Sequence, residues 1–259
     1  MDTSYSLDEL MVVEASRYIA DGDVVMVGTG LPFVASTLAL KSHAPNMCFV
    51  VETGPIAPEV IPTPVSVSDA RVMYRAVRLG SLLDVLGGIL QRGLADIGFI
   101  GGAQIDQFAN VNSTLIGDHK RPKVRLPGSG GANDLASHAK KVLIISRHER
   151  RRFPQRCDYI TSPGYIDGPD GRKNVGLPVP YPDIIVVTDR AVMAIDKSAG
   201  RLRVDKLMPG VSLDEVRENT GFDPLVASEV AAVEPPSARA LRLLRDEVDP
   251  QRLYVKGGE

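Results

Sequence analysis

Tryptophan is absent from this chain, and cysteine and histidine are scarce, with two and four residues respectively. Cys48 and Cys157 are far apart in the sequence and neither has a CxxC partner. Two lone thiols argue against a disulfide framework and for a reducing, cytoplasmic setting. His43, His119, His138 and His148 lack the spacing of metal ligands, so no metal is expected. No apolar run approaches the roughly 20 residues that span a bilayer. The amino-terminal stretch is acidic and amphipathic and lacks the basic start of a signal peptide, so no membrane role is expected. An excess of one charge is also missing: 30 Lys and Arg face 32 Asp and Glu, a net charge of −2. No basic stripe interleaves with aromatics, which argues against a nucleic-acid partner. The one basic cluster, Arg147 to Arg152 with His148, reads as a solvated or subunit-facing edge, with a phosphate-binding patch as the alternative.

What is present is an ordinary globular composition, 44% apolar and 24% charged over 259 residues. Ser6 and Glu9 stand at capping-box spacing and open a helix running to about Ala20. Strand, turn and helix then alternate: Asp23 to Val27, Phe33 to Lys41, Met47 to Val51, and a helix over Ser81 to Arg92. Leu82, Leu83, Leu86, Ile89 and Leu90 form the apolar face of that last helix. A strand over Ile97 to Ile100, a helix over Leu135 to Ala139 and a strand over Lys141 to Ser146 follow. Three further strands fall at Ile184 to Thr188, Ala191 to Asp196 and Leu202 to Leu207. Ser212 and Glu215 form a second capping box, for a helix stopping at Thr220-Gly221. A charged helix with a leucine stripe closes the chain. This alternation predicts an α/β fold, an open, mainly parallel sheet with flanking helices, as one domain over 1–259. The long Pro- and Gly-rich stretch from Tyr159 to Tyr181 reads as a loop, and long loops are often functional.

Three segments carry the chemistry. In Val50 to Ile56, VVETGPI, Glu52 stands at the tip of a buried strand just before a Gly-Pro turn. A carboxylate held there can serve as a nucleophile or base; a turn cap or an arginine partner is the bland alternative. In Ala95 to Gly117, Gln104, Asp106 and Asn110 follow a buried strand at its carboxyl end, where open α/β sheets bind their ligands. In Pro127 to Ser137, PGSGGANDLAS, Gly128, Gly130 and Gly131 free the backbone before a helix that Asn133 and Asp134 are suited to cap. A glycine turn at a helix start aims amide N–H groups at an oxygen, and an ordinary turn has the same composition. Gly28 and Gly30 flank a further turn, GTGLP, without the spacing of a nucleotide-binding loop.

Taken in order, these segments resemble the β subunit of family I CoA-transferases over nearly the whole chain. The resemblance rests on GTGLP at Gly28 to Pro32, Glu52 before Gly54, GAQID at Gly102 to Asp106, GGANDL at Gly130 to Leu135 and GVSLDEVRENTG at Gly210 to Gly221. ITSPGYIDGPDGR, Ile160 to Arg172, and Asn133 resemble the glutaconate-type branch, and more narrowly its actinobacterial steroid-ring-opening hydrolases. The resemblance implies Glu52 as the catalytic group. It also implies a substrate and CoA site at Gly28, Gly30, Gln104, Gly128, Gly130, Gly131, Ala132 and Asn133, with turn amides holding an oxyanion. CoA enters as part of the substrate and no further cofactor is expected. The implied partner is an α subunit, in an α2β2 heterotetramer. Thr53 and Pro55 depart from the family pattern around the glutamate. They favour a hydrolytic enzyme that opens the last ring of a steroid CoA thioester by C–C cleavage. The alternatives are CoA transfer between carboxylic acids through a glutamyl-CoA on Glu52, and a non-catalytic ligand-binding relative. Glu52, Gln104 and the glycine signature speak against the last.

Overall fold

Ser6 opens the first helix in the computed structural model, which describes residues 4–59 and 64–256. Its hydroxyl accepts the Glu9 amide at 3.2 Å while the Glu9 carboxylate accepts the Ser6 amide at 2.8 Å, the reciprocal cap that the spacing predicts. Helix α1, Leu7–Ser16, stops short of Ala20. The amides of Arg17, Tyr18 and Ile19 turn back to carbonyls three residues earlier, which tightens the chain out of the α path.

The chain divides into two compact units, Met1–Phe99 with Glu234–Glu259, and Ile100–Val233. In the first, strands β1 (Val24–Val27), β2 (Cys48–Val51), β3 (Pro55–Ile56), β4 (Arg78–Leu79) and β5 (Ile97–Ile100) lie in the order β5-β1-β2-β3-β4. β5, β1 and β2 are parallel; β3 and β4 add antiparallel pairs at the edge. Helix α2, Leu31–Ser42, provides the crossover from β1 to β2 that parallel pairing requires. The strands read as continuous apolar runs because they are covered on both faces. Val25, Met26, Val27, Phe49, Val50 and Val51 are all buried. Phe33 on α2 meets Phe49 edge-on, 5.0 Å between centroids. Each such fully buried aliphatic or aromatic side chain contributes roughly 1.5–3 kcal/mol.

The expected amphipathic helix at Ser81 to Arg92 takes another form. Leu83–Leu90 winds as a wider π-type helix, in which the Gln91 amide reaches back five residues to the Leu86 carbonyl. Gly87 and Gly88 interrupt it with the weakest helix formers short of proline. Its apolar stripe is only partly buried: Leu83 is 79% and Leu82 56% exposed, and of the helix only Val85 and Leu90 are buried.

In the second unit, hairpins β6 (Gln104–Ile105) with β7 (Val111–Asn112) and β8 (Leu115–Gly117) with β9 (Pro122–Arg125) precede α3 (Ala132–His138). Strand β10 (Lys141–Ser146) pairs parallel with β11 (Asp183–Thr188), after the short α4 (Gly171–Asn174). β12 (Ala191–Asp196) and β13 (Arg201–Leu207) continue antiparallel as the sequence predicts. Helix α5, Leu213–Glu218, then leads to β14, Leu225–Ala232, which joins β13 in parallel and has no clear sequence signal. Only half of the second capping box forms. Ser212 accepts the Glu215 amide at 3.2 Å, but the Glu215 carboxylate pairs with Arg190 instead of reaching back. The α/β class is as expected, a mixed, mainly parallel sheet with flanking helices.

Candidate active site

Glu52 and Gly28 are neighbours across two parallel strands. Val27 of β1 is in register with Val51 of β2, and each is followed at the carboxyl edge by one of these residues. Glu52 is half-buried and heads a tight reversal. The Gly54 amide donates to the Val51 carbonyl at 3.0 Å, and the Gly80 amide donates to the Gly54 carbonyl at 3.0 Å. Gly54 has φ 126°, and a Cβ there would run into the Gly80 carbonyl. Only glycine therefore lets the β2 tip turn this tightly against the β4–π-helix connection. Thr53 is not spare either: its hydroxyl donates to the Val67 carbonyl at 3.1 Å. Gly30 caps α2 with φ 90° and ψ −154°, where side chains are strained. The result is a carboxylate on a rigid tip at the carboxyl end of a parallel strand, beside an open glycine turn.

In the second unit, Gly128, Gly130, Gly131, Ala132 and Asn133 form one continuous turn into α3, but with different duties from those expected. Gly128 (φ 95°) and Gly130 (φ 50°) take left-handed angles, whereas Gly131 sits at φ −79°, ψ −1°, open to any residue. Gly128 is fixed to Ser113, whose carbonyl accepts its amide at 2.8 Å and whose hydroxyl donates to its carbonyl at 2.9 Å. The Ala132 amide closes a turn onto the Ser129 carbonyl at 2.9 Å, which removes it from the expected oxyanion donors. Asn133 does not cap α3. It lies inside the first turn, and its side-chain amide donates to the Thr161 carbonyl at 2.7 Å. A cavity of about 390 Å³ opens on this turn, bordered by Gly102, Ala103, Ser113, Leu126, Gly128 and Arg152 among others.

Gln104 is 6% exposed and already engaged. Its carbonyl oxygen accepts from Asn112 at 2.7 Å and from the Asp158 amide at 3.0 Å, while its amide donates to the Asp158 carboxylate at 3.1 Å. Asp106 accepts from the amides of Phe108, Asn110 and Cys157 and from the Asn110 side chain. Burial nevertheless pushes its pKa up. Asn110 in turn holds Gly164 and Ile166. Asn110 thus binds the long 159–181 loop to the β6–β7 hairpin, and Gln104 ties the hairpin to Asp158 just before that loop.

Arg172 pins the same loop and is silent in the sequence. Fully buried, it donates five hydrogen bonds, to the carbonyls of Val179, Pro163, Gly164, Ala136 and Ser137. Burial without a carboxylate lowers its pKa to about 10. His148 also lies inside rather than on a basic edge, 1% exposed and stacked on Phe153. Cys48 and Cys157 are free thiols whose pKa values burial raises, which opposes a nucleophilic role. Among the described residues no cluster of three His, Cys, Asp or Glu side chains could hold a metal, and no helix is long and apolar enough to cross a membrane.

The profile of the coenzyme A transferase family matches residues 9–219. The B subunit of glutaconate CoA-transferase from Acidaminococcus fermentans is 39% identical, over 98% of this chain and 96% of its own. The B subunit of 3-oxoadipate CoA-transferase from Pseudomonas knackmussii is 38% identical, over 94% and 93%. The crystal structure of the Acidaminococcus fermentans glutaconate enzyme superposes with a TM-score of 0.92, covering 98% of both chains. A cholesterol ring-cleaving hydrolase subunit from Rhodococcus jostii is only 27% identical, over 60% of each chain. The narrower resemblance to ring-opening hydrolases therefore gives way to the transferases.

Proposed function

This chain belongs to the coenzyme A transferase family, and from that premise we propose that it is the B subunit of an enzyme moving CoA between carboxylic acids. The observation that carries the reading is Glu52, held at the β2 tip by the Gly54–Gly80 contact beside the Gly28 turn. A Glu52 oxygen attacks the donor thioester carbonyl, giving a mixed anhydride and CoA thiolate. The thiolate then attacks the Glu52 side of the anhydride, releasing the donor carboxylate and leaving a glutamyl-CoA thioester. The acceptor carboxylate attacks that thioester, and the returning thiolate captures the acceptor acyl group and frees Glu52. No water is consumed and CoA is the only carrier, so no further cofactor is needed.

Glutaconate and 3-oxoadipate, named in the two relatives, are both dicarboxylates, which supports a dicarboxylic acid as one member of the exchange. Both relatives are B subunits, which supports an α partner, here in an α2β2 assembly. Val77, Leu79, Leu82 and Leu83 are 56–83% exposed in the first unit and are the surface such a partner would cover. The ring-opening reading lacks an observation of its own: Thr53 serves the turn, and Pro55 belongs to strand β3, paired between β2 and β4.

The test is covalent trapping in the chain co-expressed with its α subunit. Incubation with an acyl-CoA donor should add the mass of CoA less one water to the Glu52 peptide, and borohydride should then reduce the thioester and inactivate the enzyme. Glu52→Gln should abolish both. Turnover of a cyclic CoA thioester without any trapped glutamyl-CoA would overturn the reading in favour of hydrolysis.

A further inference from the structure

The basic run Arg147 to Arg152 has no place in the chemistry above, and its members differ sharply. Arg147 pairs with Asp189 at 3.5 Å, Arg150 donates to the Glu218 carbonyl at 3.0 Å, and Arg151 pairs with Glu149 at 2.5 Å. Arg152 is held more loosely, by an ion pair of 3.8 Å to Glu149. Its Nε is buried with no hydrogen-bond partner. The one carboxylate near it, Glu149, lies 3.8 Å away and is already taken by Arg151.

Arg152 also borders two cavities of this unit, and Ala103 borders both with it. One is the cavity of about 390 Å³ on the Gly128–Ala132 turn. The other, of about 290 Å³, is completed by Gln104, Ile116 and Arg151. Both volumes are near or within the range of small-molecule sites, roughly 300–1,000 Å³. Neither lining contains an aspartate or glutamate. The larger cavity offers Leu126, Pro127, Ala103 and Ala132 with two serines and this single cation. An always-charged guanidinium beside cavity linings that carry no carboxylate is attracted to an anion. The side chain is one-third exposed, so a ligand can reach it.

We propose that Arg152 is the anion anchor of this unit, gripping a carboxylate or phosphate group of the reacting CoA thioester and its carboxylic acid partner. The assignment rests on the transferase reading for the identity of the ligand. The planar guanidinium fork suits either oxyanion through two parallel N–H donors.

The experiment measures equilibrium binding of coenzyme A and, separately, of glutarate to the full chain by titration calorimetry, in the wild type, Arg152→Met and Arg152→Lys. Arg152→Met should weaken one of the two by about tenfold or more, with Arg152→Lys between it and the wild type. Selective loss of coenzyme A binding assigns the phosphates; selective loss of glutarate binding assigns the carboxylate. Unchanged melting temperatures exclude a folding defect, and Arg150→Met, which removes a partnered arginine that borders neither cavity, should have a smaller effect. Dissociation constants for both ligands within about twofold of the wild type in Arg152→Met, or no binding by the wild type, would overturn the proposal. An Arg152-dependent ligand in a preparation that forms no glutamyl-CoA with its α subunit sinks the transferase reading and leaves the anchor standing. Trapped glutamyl-CoA with Arg152-independent binding does the reverse.

Discussion

His148 Nε2 lies 2.9 Å from the Thr220 hydroxyl, which ties the end of α5 to the loop after β10. On its other side Nδ1 lies 3.0 Å from the Thr188 hydroxyl. Thr188 already donates to the Ala191 carbonyl and accepts the Ala191 amide, so it is best placed to accept from Nδ1–H. Thr220 likewise donates its hydroxyl proton to the Val216 carbonyl, at 2.7 Å. Burial lowers the pKa of His148 from 6.5 to about 4, with Arg190 adding to the effect and Asp189 opposing it.

This gives a signed pH dependence. The folded-state pKa lies below the unfolded one, so the unfolded chain takes up the proton first on acidification. The stability that His148 contributes is complete above pH 6.5 and is lost as the pH falls from there towards about 4. The full loss is on the order of 3 kcal/mol. Urea unfolding of the wild type across that window should show the decline. His148→Asn should be less stable at pH 7.5 and should flatten the slope. A wild-type midpoint constant from pH 7 to 4.5 would rule this out.

The GVSLDEVRENTG motif was legible as a capped helix with a glycine stop, and the structure shows why those end residues are needed. Thr220 meets His148, the Gly221 amide donates to the Phe153 carbonyl at 2.7 Å, and a Cβ on Gly221 would lie 2.6 Å from that oxygen. Strands β1, β2 and β5 were legible because burial on both faces leaves uninterrupted apolar runs. β14, reading LVASEVAA, was not, because its residues are half-buried or exposed and its pairing comes from β13 far from any local signal. At the site, Glu52 and the glycine turns could be found from strand ends and turn chemistry. Which amides are occupied could not, because Gln104, Asn110 and Asn112 find partners up to 56 residues away. Arg172 stands in the sequence only as the last residue of ITSPGYIDGPDGR, since nothing local distinguishes a guanidinium surrounded by carbonyls.

Arg172 should therefore be the most sensitive residue of the second unit. Arg172→Met fills a similar volume but leaves five carbonyls without their donor. Orphaned buried acceptors cost roughly 1–3 kcal/mol each before relaxation, so a loss above about 3 kcal/mol is expected. Arg172→Lys keeps the charge but has three donors on a point-like group, and should recover only part of it. Chemical denaturation measures both; a loss below about 1 kcal/mol for the methionine variant would contradict this account.

At the tip of β2, Gly54→Ala places a methyl group against the Gly80 carbonyl in a backbone region that L-residues avoid. Strain alone costs roughly 1–3 kcal/mol, and relieving it must displace Glu52. The variant should lose turnover by more than its stability loss explains, with weaker glutamyl-CoA trapping under conditions where it stays folded. Gly168→Ala, with open space at its Cβ and no left-handed angle, is the control that should match the wild type. Normal trapping in Gly54→Ala would separate Glu52 chemistry from the geometry of this turn.

The glycine signature makes an unequal prediction for its three glycines. The sequence reads Gly128, Gly130 and Gly131 alike as freeing the backbone, but the angles of Gly131 are helical, and the left-handed positions are Gly128 and Gly130. Alanine at a left-handed position costs on the order of 1 kcal/mol or more, whereas alanine replacing a glycine at helical angles is neutral or mildly stabilising through the unfolded chain. Gly128→Ala should be the worse of the left-handed pair, because φ 95° is farther from the left-handed helical minimum than φ 50°. It should also move the turn that Ser113 holds against the larger cavity. Melting temperatures should rank Gly131→Ala above Gly130→Ala above Gly128→Ala, and kcat/KM of the assembled enzyme should follow the same order. If Gly131→Ala were the most damaging of the three, contacts at its Cβ rather than backbone angles would govern this turn.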